Sequence, residues 1–241
     1  MYKYIFFALF SLVIHPLFSQ SFSSSQTTSS YALPSLNLTD AFGRLTPASG
    51  AGISGTPYMF DQFGLGKGTF INGVEFEDSS LNYSYFDHNL YFTKGNQLYL
   101  VNYQLKSFVL NSIDKEYNKV SKEFMSLYPS IDNNTTSTLY EIRSNGNLFQ
   151  FLKYTSKLIK ESTVFSGPPI KEYILEDLFY IYDKAAKKML SLGGSLSLKA
   201  IKKTLPNYAT QIDAYLSTNK LNLKKEEDMI QLLRQLKASS N

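Results

Sequence analysis

The chain has few of the residues on which most active sites and metal centres depend. Its 241 residues contain no cysteine, no tryptophan and only two histidines. The lack of cysteine excludes disulfide bonds, a lipid-modified N-terminal cysteine and zinc sites with thiolate ligands. A chain of this length can bury a sufficient core without disulfides. We therefore predict no metal site and no cofactor.

The supply of catalytic groups is equally small. One of the two histidines, His15, lies in an apolar N-terminal stretch, so His88 is the remaining candidate for a general base. It follows Asp87 in a predicted turn between two strands, where a single histidine is common. Serine–histidine–aspartate chemistry would depend on this one residue.

Paired carboxylates are the other candidates for catalysis. Glu75 and Glu77 share one face of a predicted strand, as do Glu172 and Glu176. Glycoside hydrolysis needs two carboxyl groups about 5 to 9.5 Å apart across a cleft. However, alternating charged residues are typical of the solvent-exposed face of any sheet. We predict no catalytic residue and a protein that is not an enzyme.

The N-terminus has the pattern of a signal peptide. Lys3 precedes an apolar run over residues 4–14, and Pro16 and Ser19 follow it. A membrane-spanning helix needs about 20 apolar residues, and this run is too short. We expect residues 1–19 to be a cleavable signal peptide and the mature chain to have no transmembrane segment. The predicted location is the periplasm or the periplasmic face of the outer membrane.

Charge and aromatic content narrow the class further. The chain has 24 basic and 20 acidic residues, and this near balance argues against a nucleic-acid-binding protein. Aromatic residues make up 15%, all of them Tyr and Phe. Such residues favour the half-buried surface of a sheet, so the composition predicts a mainly β protein.

Residues 20–66 are predicted to be a flexible leader rich in Ser, Thr and Gly, because they can bury little apolar surface. Two apolar patches interrupt this leader, at residues 31–38 and 58–63. They can dock on the same chain or on a partner. The candidate docking residues are Tyr31, Leu33, Leu36, Tyr58, Met59, Phe60 and Phe63.

Residues 67–192 are predicted to form an antiparallel β domain. Asn72 and Gly73 separate two strand-like runs, and this pair is typical of a type I′ hairpin turn. Further hairpin turns are predicted at residues 94–96, 144–147 and 183–186. A short helix is predicted over 114–128, where Val120, Phe124 and Leu127 share one helical face. The expected arrangement is a meander of about eight to nine strands, as a curled sheet, a sandwich or a small barrel.

Residues 193–241 are predicted to form a cap of three short helices. Leu198, Ile201 and Leu205 follow helical spacing after Ser197, a suitable N-cap. Pro206 ends this first helix. Predicted buried stripes of the other two are Ala209, Ile212 and Leu216, and then Met229, Ile230, Leu233 and Leu236. The fold class is therefore α+β, mainly β, with the helices packed on the sheet.

One cluster of charge stands out along the chain. Residues 184–203 contain six lysines and no acidic residue. Such a cluster can contact an anionic surface or a partner, but lysines also protect sheet edges and solvate helix faces. The lysines are Lys184, Lys187, Lys188, Lys199, Lys202 and Lys203.

Several short stretches carry a family resemblance: residues 68–76, 81–83, 179–182, 201–206 and 212–228. They extend over most of the chain beyond residue 56, and they resemble a family of uncharacterised exported proteins common in Bacteroidota. This resemblance implies a small periplasmic protein with a β domain and a C-terminal helical cap, and it brings no catalytic residues. Accessory subunits of outer-membrane machines in that phylum, such as the plug protein of the type 9 secretion translocon, are similar in size and export signal.

Two functions follow as expectations. The first is a non-enzymatic interaction or accessory subunit at the periplasmic side of the outer membrane, with an outer-membrane or periplasmic protein as its partner. The alternative is a binding module for a small apolar or glycan ligand within an aromatic-lined β domain. A deep cavity lined by Tyr and Phe would favour the alternative, whereas a filled core would count against it.

Overall fold

A computed structural model describes residues 52–95, 97–113, 118–163 and 169–237, all within one compact unit. The predicted signal peptide and most of the predicted leader lie outside these residues. The strands are β1 (Ile53–Ser54), β2 (Gly64–Phe70), β3 (Glu75–Tyr83), β4 (Leu90–Lys94), β5 (Gln97–Leu100), β6 (Leu105–Ile113), β7 (Lys119–Met125), β8 (Tyr140–Asn145), β9 (Phe149–Ser162), β10 (Ile170–Asp183) and β11 (Lys188–Gly193). The helices are α1 (Leu198–Thr204), α2 (Ala209–Thr218) and α3 (Glu226–Gln235), and a 3₁₀-helix (Pro206–Tyr208) links α1 to α2.

The strands form one open, mixed sheet. Its order is β1-β10-β9-β8-β7-β6-β2-β3-β4-β5, and β11 also pairs with β10. The mainly β fold with C-terminal helices is confirmed. The predicted antiparallel meander is only approximately right, because there are eleven strands, β1 runs parallel to β10, and β2 lies between β3 and β6.

Glycine explains how β2 fits between two strands with bulky side chains. A Cβ atom added to Gly66 would lie 2.4 Å from a methyl carbon of Leu110, and one added to Gly68 would lie 2.6 Å from the ring of Phe76. At Gly68 the added atom would also lie 2.6 Å from the backbone carbonyl oxygen of Ser107, so a larger residue there would push β2 and β6 apart. These glycines lie where β2 pairs with β6, although β5 precedes β6 in the chain.

The hairpin predicted at Asn72 and Gly73 joins β2 to β3, but its turn is not of the expected type. Only Gly73 has a positive φ, of 85°. The Gly73 N–H donates to the carbonyl of Phe70, and the Phe70 N–H donates to the carbonyl of Val74. This arrangement corresponds to a longer hairpin connection than the two-residue type I′ turn. Only its last residue is left-handed, and Gly is favoured at that position.

The predicted helix over 114–128 is wrong. Its described part contains the strand β7, which pairs with β6 from Ser107↔Met125 to Ile113↔Lys119. Val120 and Phe124 satisfy helical spacing, but residues four apart also share one face of a strand. The sequence pattern alone did not separate the two structures over so short a segment.

Pairing is weakest in the middle of the sheet. The strands β7 and β8 are matched at only two positions, Phe124↔Glu141 and Met125↔Tyr140. On one side of this seam lie β2 to β7, and on the other lie β8 to β11 with β1. The sheet therefore consists of two ladders with a narrow connection: the first ladder is β2 to β7, and the second ladder is β8 to β11 with β1.

The helices cover the second ladder. Ile201, Ile212 and Met229 are fully buried, in one cluster with Phe151 and Ile181 of β9 and β10. As predicted, Ser197 caps α1, since its hydroxyl accepts the N–H of Ala200 at 3.1 Å.

Two details of the predicted helical stripes are corrected. Leu198 is 41% exposed, and in α3 the buried position falls on Leu232 while Ile230 is only partly buried. No helix among the described residues is long and apolar enough to cross a membrane.

Aromatic side chains fill the core of the first ladder. The ring of Tyr83 lies 5.4 Å from that of Phe108 and 5.1 Å from that of Phe124, and the two phenylalanines stack at 4.7 Å. These are ordinary packing distances between aromatic rings. The aromatic content noted in the sequence is therefore used here for packing one ring against another.

Candidate interaction surface

The hairpin of β9 and β10 extends beyond its neighbour β8, and near its far end only β1 pairs with it, at Lys171 and Glu172. Both strands have 14 residues and pair along their full length. The neighbouring strand β8 reaches only as far as Lys153 of β9. We call residues 154–162 of β9 and 170–178 of β10 the arm.

The arm exposes large apolar side chains. Cross-strand pairs place Leu158 beside Ile174 and Ile159 beside Tyr173, and successive pairs alternate between the two faces. The most exposed apolar side chain that the structure describes, Leu175 at 61%, belongs to the arm. The arm residues with exposed apolar side chains are Leu158, Ile159, Ile170, Leu175 and Leu178.

The base of the arm is anchored to the first ladder. The backbone N–H of Lys157 donates to the carbonyl of Tyr85 at 2.8 Å, and the Lys157 ammonium donates to the carbonyls of Thr56 and Tyr58. The ring of Phe86 contacts that of Tyr173 edge-on at 5.6 Å. A two-stranded hairpin is marginally stable by itself, so these contacts hold the arm in place while leaving its apolar residues exposed.

The sequence did not identify the arm as a site. Apolar pairs at residues 158–159 and 174–175 fit the predicted strands, and nothing in their local pattern distinguishes them from core positions. The deciding fact is that β8 is much shorter than β9, and strand length cannot be predicted to that accuracy from periodicity.

The predicted docking patch at 58–63 packs on the same chain. Tyr58 and Phe60 are buried, and Met59 and Phe63 are partly buried against core clusters. Tyr58 forms a bridge with Ser84, and its ring contacts that of Tyr91 at 5.8 Å. Tyr31, Leu33 and Leu36 of the other patch lie outside the described residues.

The six lysines lie on two neighbouring parts of the cap. Lys184 and Lys187 lie in the turn between β10 and β11, and Lys188 is the first residue of β11. The other three belong to α1, which packs beside β11. Lys202 forms an ion pair with Asp213 at 2.6 Å, and Lys184 donates to Asn145 at 2.7 Å. The other four are exposed and have no ion-pair partner within the described part of the chain: Lys187, Lys188, Lys199 and Lys203. Of these, Lys199 and Lys203 border a groove of about 590 Å³ between α1 and β11.

His88 is placed among tyrosines. Its Nε2 lies 2.8 Å from the hydroxyl of Tyr154 and its Nδ1 lies 3.5 Å from that of Tyr83. Burial lowers the pKa of His88, and this outweighs the opposite effect of the Asp87 carboxylate. The carboxylate of Asp87 accepts from Tyr91 at 2.5 Å. Both nitrogens therefore have tyrosine hydroxyls as neighbours, in an arrangement that differs from a serine–histidine–aspartate triad.

The paired glutamates lie on solvent-exposed surface. Glu75 and Glu77 are exposed and border a groove of about 440 Å³ together with Lys67 and Glu123. Lys67 is the cross-strand partner of Glu77. Glu172 and Glu176 are also exposed, on the arm. Among the described residues no three His, Cys, Asp or Glu side chains are grouped in a way that could hold a metal ion.

A chain of alternating charges crosses the sheet and reaches the helical cap. Glu141, only 2% exposed, pairs with Lys122 at 3.0 Å and with Arg143 at 2.5 Å. Arg143 also pairs with Glu226 of α3 at 2.6 Å. We call these groups, with the two described next, the ion chain.

The ion chain continues on β9 and β10. Lys153 pairs with Glu226 at 2.8 Å and with Asp177 at 2.9 Å, and Asp177 accepts from the hydroxyl of Thr155. Burial lowers the pKa of Lys153, but the hydrogen bonds and charges of Glu226 and Asp177 outweigh it and raise the pKa above its ordinary value. The ion chain thus fixes α3 to the sheet and bridges the seam between β7 and β8.

Comparison with models of known families, with curated proteins and with solved structures finds no match to this chain.

Proposed function

We propose that this chain is a non-enzymatic exported envelope protein that acts as an interaction subunit at the periplasmic side of the outer membrane. Its partner is an outer-membrane or periplasmic protein that covers the arm. The observation that carries this proposal is the set of exposed Leu and Ile side chains on both faces of the arm, which is well anchored to the first ladder. Membership in the exported family that the sequence resembles is part of the same proposal.

The exposed side chains of the arm can supply part of the free energy of binding. Burying a Leu or Ile side chain fully contributes about 1.5 to 3 kcal/mol relative to leaving it exposed. The five arm residues are between 38% and 61% exposed, so a partner can bury about half of that value at each. A partner that encloses both faces of the arm gains on the order of 5 kcal/mol from them before the entropy cost of association. Micromolar affinity corresponds to about 8 kcal/mol after that cost, so the partner must also make contacts outside the arm.

The exposed lysines of the cap supply a second contact. Four of them lie on the β10–β11 turn and α1 without an acidic partner among the described residues. Exposed charges steer association and lose their effect at high salt. We therefore expect the partner to carry an acidic surface and to associate more slowly as ionic strength rises.

The ligand-binding alternative has less support. The aromatic rings of the first ladder pack on one another at 4.7 to 5.4 Å, and the grooves bordered by Glu77 and by Lys199 are open to solvent. A ligand site normally encloses most of its ligand between apolar walls.

The test is affinity capture of the tagged full chain from gently solubilised envelopes of the source cells. We expect a stoichiometric envelope protein with the wild type, and loss of that protein with Leu158→Asp and with Leu175→Asp. Leu65→Asp is the matched control, since Leu65 is 47% exposed on β2, outside the arm. Equal recovery by all three variants, or no recovered protein at all, would contradict the proposal.

A further inference from the structure

The strand β5 forms one end of the open sheet, and its outer edge is unprotected. Among the described strands it pairs only with β4. Edges of natural sheets usually carry charged residues or proline, or are covered by a helix, because unpaired edge groups can bind another strand. Residues 95–105 contain no charged residue and no proline. At the other end of the sheet, by contrast, β1 has only two residues, and β11 begins with Lys188 and has α1 packed beside it.

Backbone groups of β5 point to this open edge. The N–H of Val101, which directly follows β5, donates to the carbonyl of Leu90 at 2.9 Å, so the backbone of Val101 faces β4. Along an antiparallel strand, successive residues direct their N–H and C=O groups to opposite edges. Leu100 and Leu98 therefore direct theirs to the open edge, where no residue in the described part of the chain pairs with them. Both leucines can thus donate and accept a backbone hydrogen bond with a further strand.

We propose that a second copy of this chain pairs at this edge through its own β5, antiparallel and around a two-fold axis. The register places Leu98 opposite Leu100 of the second copy, and Leu100 opposite Leu98 of the second copy. Each of these pairs exchanges both of its backbone hydrogen bonds, as in any antiparallel ladder. The two-fold axis then passes beside Tyr99, which faces Tyr99 of the second copy.

The side chains of β5 suit an identical strand. Leu98 and Leu100 share one face of the strand, so each contacts the other leucine of the second copy. On the opposite face the ring of Tyr99 stacks on that of Phe92 at 5.1 Å, and pairing brings the two Tyr99 rings side by side. Because the segment is uncharged, two copies meet without like-charge repulsion. An uncharged edge also has nothing with which to select an acidic or basic segment of another protein, and closed two-fold pairing is the commonest symmetry of homo-oligomers.

This pairing goes beyond the proposed function, because the arm lies towards the opposite end of the sheet. The absence of cysteine makes a cross-linking test clean. Opposed residues that are not hydrogen-bonded to each other have Cα atoms about 4.5 Å apart, within the range of a disulfide. Tyr99→Cys in the full chain should therefore form a disulfide-linked dimer on mild oxidation, with a yield about tenfold above that of a control variant. The control is Leu198→Cys, since Leu198 is 41% exposed on α1 and lies outside β5.

Light scattering of the purified full chain over a range of concentrations gives the second readout, without any oxidant. We expect the wild type to reach twice the mass of the chain. Self-association should be about tenfold weaker in Tyr99→Lys and in Tyr99→Glu, because each variant places two like charges opposite each other. Mixing these two variants should restore the dimer, since lysine then faces glutamate across the axis. Leu198→Lys is the matched control and should associate like the wild type.

Cross-linking no better than the control, or a wild-type chain that stays monomeric, would overturn the proposal. A dimer that associates equally well in Tyr99→Lys would also overturn it, because its contact would lie elsewhere on the molecule. The same holds if the mixture of the two charged variants fails to dimerise, since the substituted positions would then not face each other. None of these results decides the capture experiment, whose variants lie on the arm and on β2.

Discussion

Replacing Glu141 by glutamine should destabilise the protein more than any other single charge removal in the ion chain. The carboxylate is 2% exposed and lies between Lys122 and Arg143. Breaking a buried ion pair costs about 3–5 kcal/mol, because the remaining charge is left without compensation. Here the lysine and arginine side chains are 23% and 29% exposed and can regain some hydration. We therefore expect a loss of about 2–3 kcal/mol in the free energy of unfolding.

The same reasoning predicts a smaller effect at the helical cap. Glu226 also contacts two cations, but after Glu226→Gln the arginine keeps Glu141 and Lys153 keeps Asp177. Since neither cation loses its last carboxylate, we expect a loss of only about 1 kcal/mol. The difference in unfolding free energy between the two variants tests one point. It shows whether the loss depends on leaving a cation without any carboxylate, and not on the number of ion pairs removed.

The assay is urea unfolding followed by far-UV circular dichroism, with thermal unfolding as a second readout. For a chain of this size, a loss of 2–3 kcal/mol corresponds to a fall in Tm of roughly 5–10 °C. Glu123→Gln serves as the control, because Glu123 is exposed on β7, next to Lys122, and should change stability by less than about 0.5 kcal/mol. The reasoning is refuted if Glu141→Gln resembles this control, or if Glu226→Gln costs as much as Glu141→Gln.

Three further predictions concern the core, the glycines and the tyrosines. Met229→Ala should lower the free energy of unfolding by about 2–5 kcal/mol, because the side chain is fully buried under the cap; a urea midpoint close to wild type would contradict this. Gly68→Ala should cost more than about 2 kcal/mol, since its Cβ would lie 2.6 Å from a neighbouring carbonyl oxygen. Gly73→Ala, with φ 85° but open space around it, should cost only about 1 kcal/mol in the same urea titration. Burial raises the pKa of Tyr58 and Tyr140 to about 12, so the folded state favours their protonated form. Their stabilising effect is complete below pH ~10 and is lost as the pH rises towards ~12. Phenolate absorbance at 295 nm should therefore rise later in the folded than in the unfolded chain, and coincident titrations would exclude this.

Local patterns predicted most strands and the helical cap. The hairpins at 144–147 and 183–186 and the N-cap at Ser197 depend on turn and capping residues that lie next to each other in the chain. The position of β2 between β3 and β6 could not be predicted in this way. It depends on how closely Gly66 and Gly68 let two distant strands approach, which is a property of the packed sheet.

The candidate surfaces were predicted unevenly for a similar reason. The lysine cluster is contiguous in sequence, so it was visible, although the pairing of Lys202 with Asp213 was not. The members of the ion chain are spread from Lys122 to Glu226 and look like ordinary surface charges one at a time. Only Glu141, between Tyr140 and Ile142, and Lys153, between Leu152 and Tyr154, sit in locally apolar stretches. That signal is too weak to predict a buried carboxylate.

The narrow seam between β7 and β8 bears on how the chain reaches its fold. The strands from β8 to β11 and the three helices follow one another in the chain, so their pairing closes short loops. The other ladder must bring β6 to β2 past the three intervening strands β3, β4 and β5, at a greater loss of chain entropy. We expect the C-terminal ladder to acquire protected amides first on refolding, with the N-terminal ladder joining it afterwards through the two pairs at the seam. The molecule would then consist of two folding units, with the ion chain forming only when the second unit docks on the first.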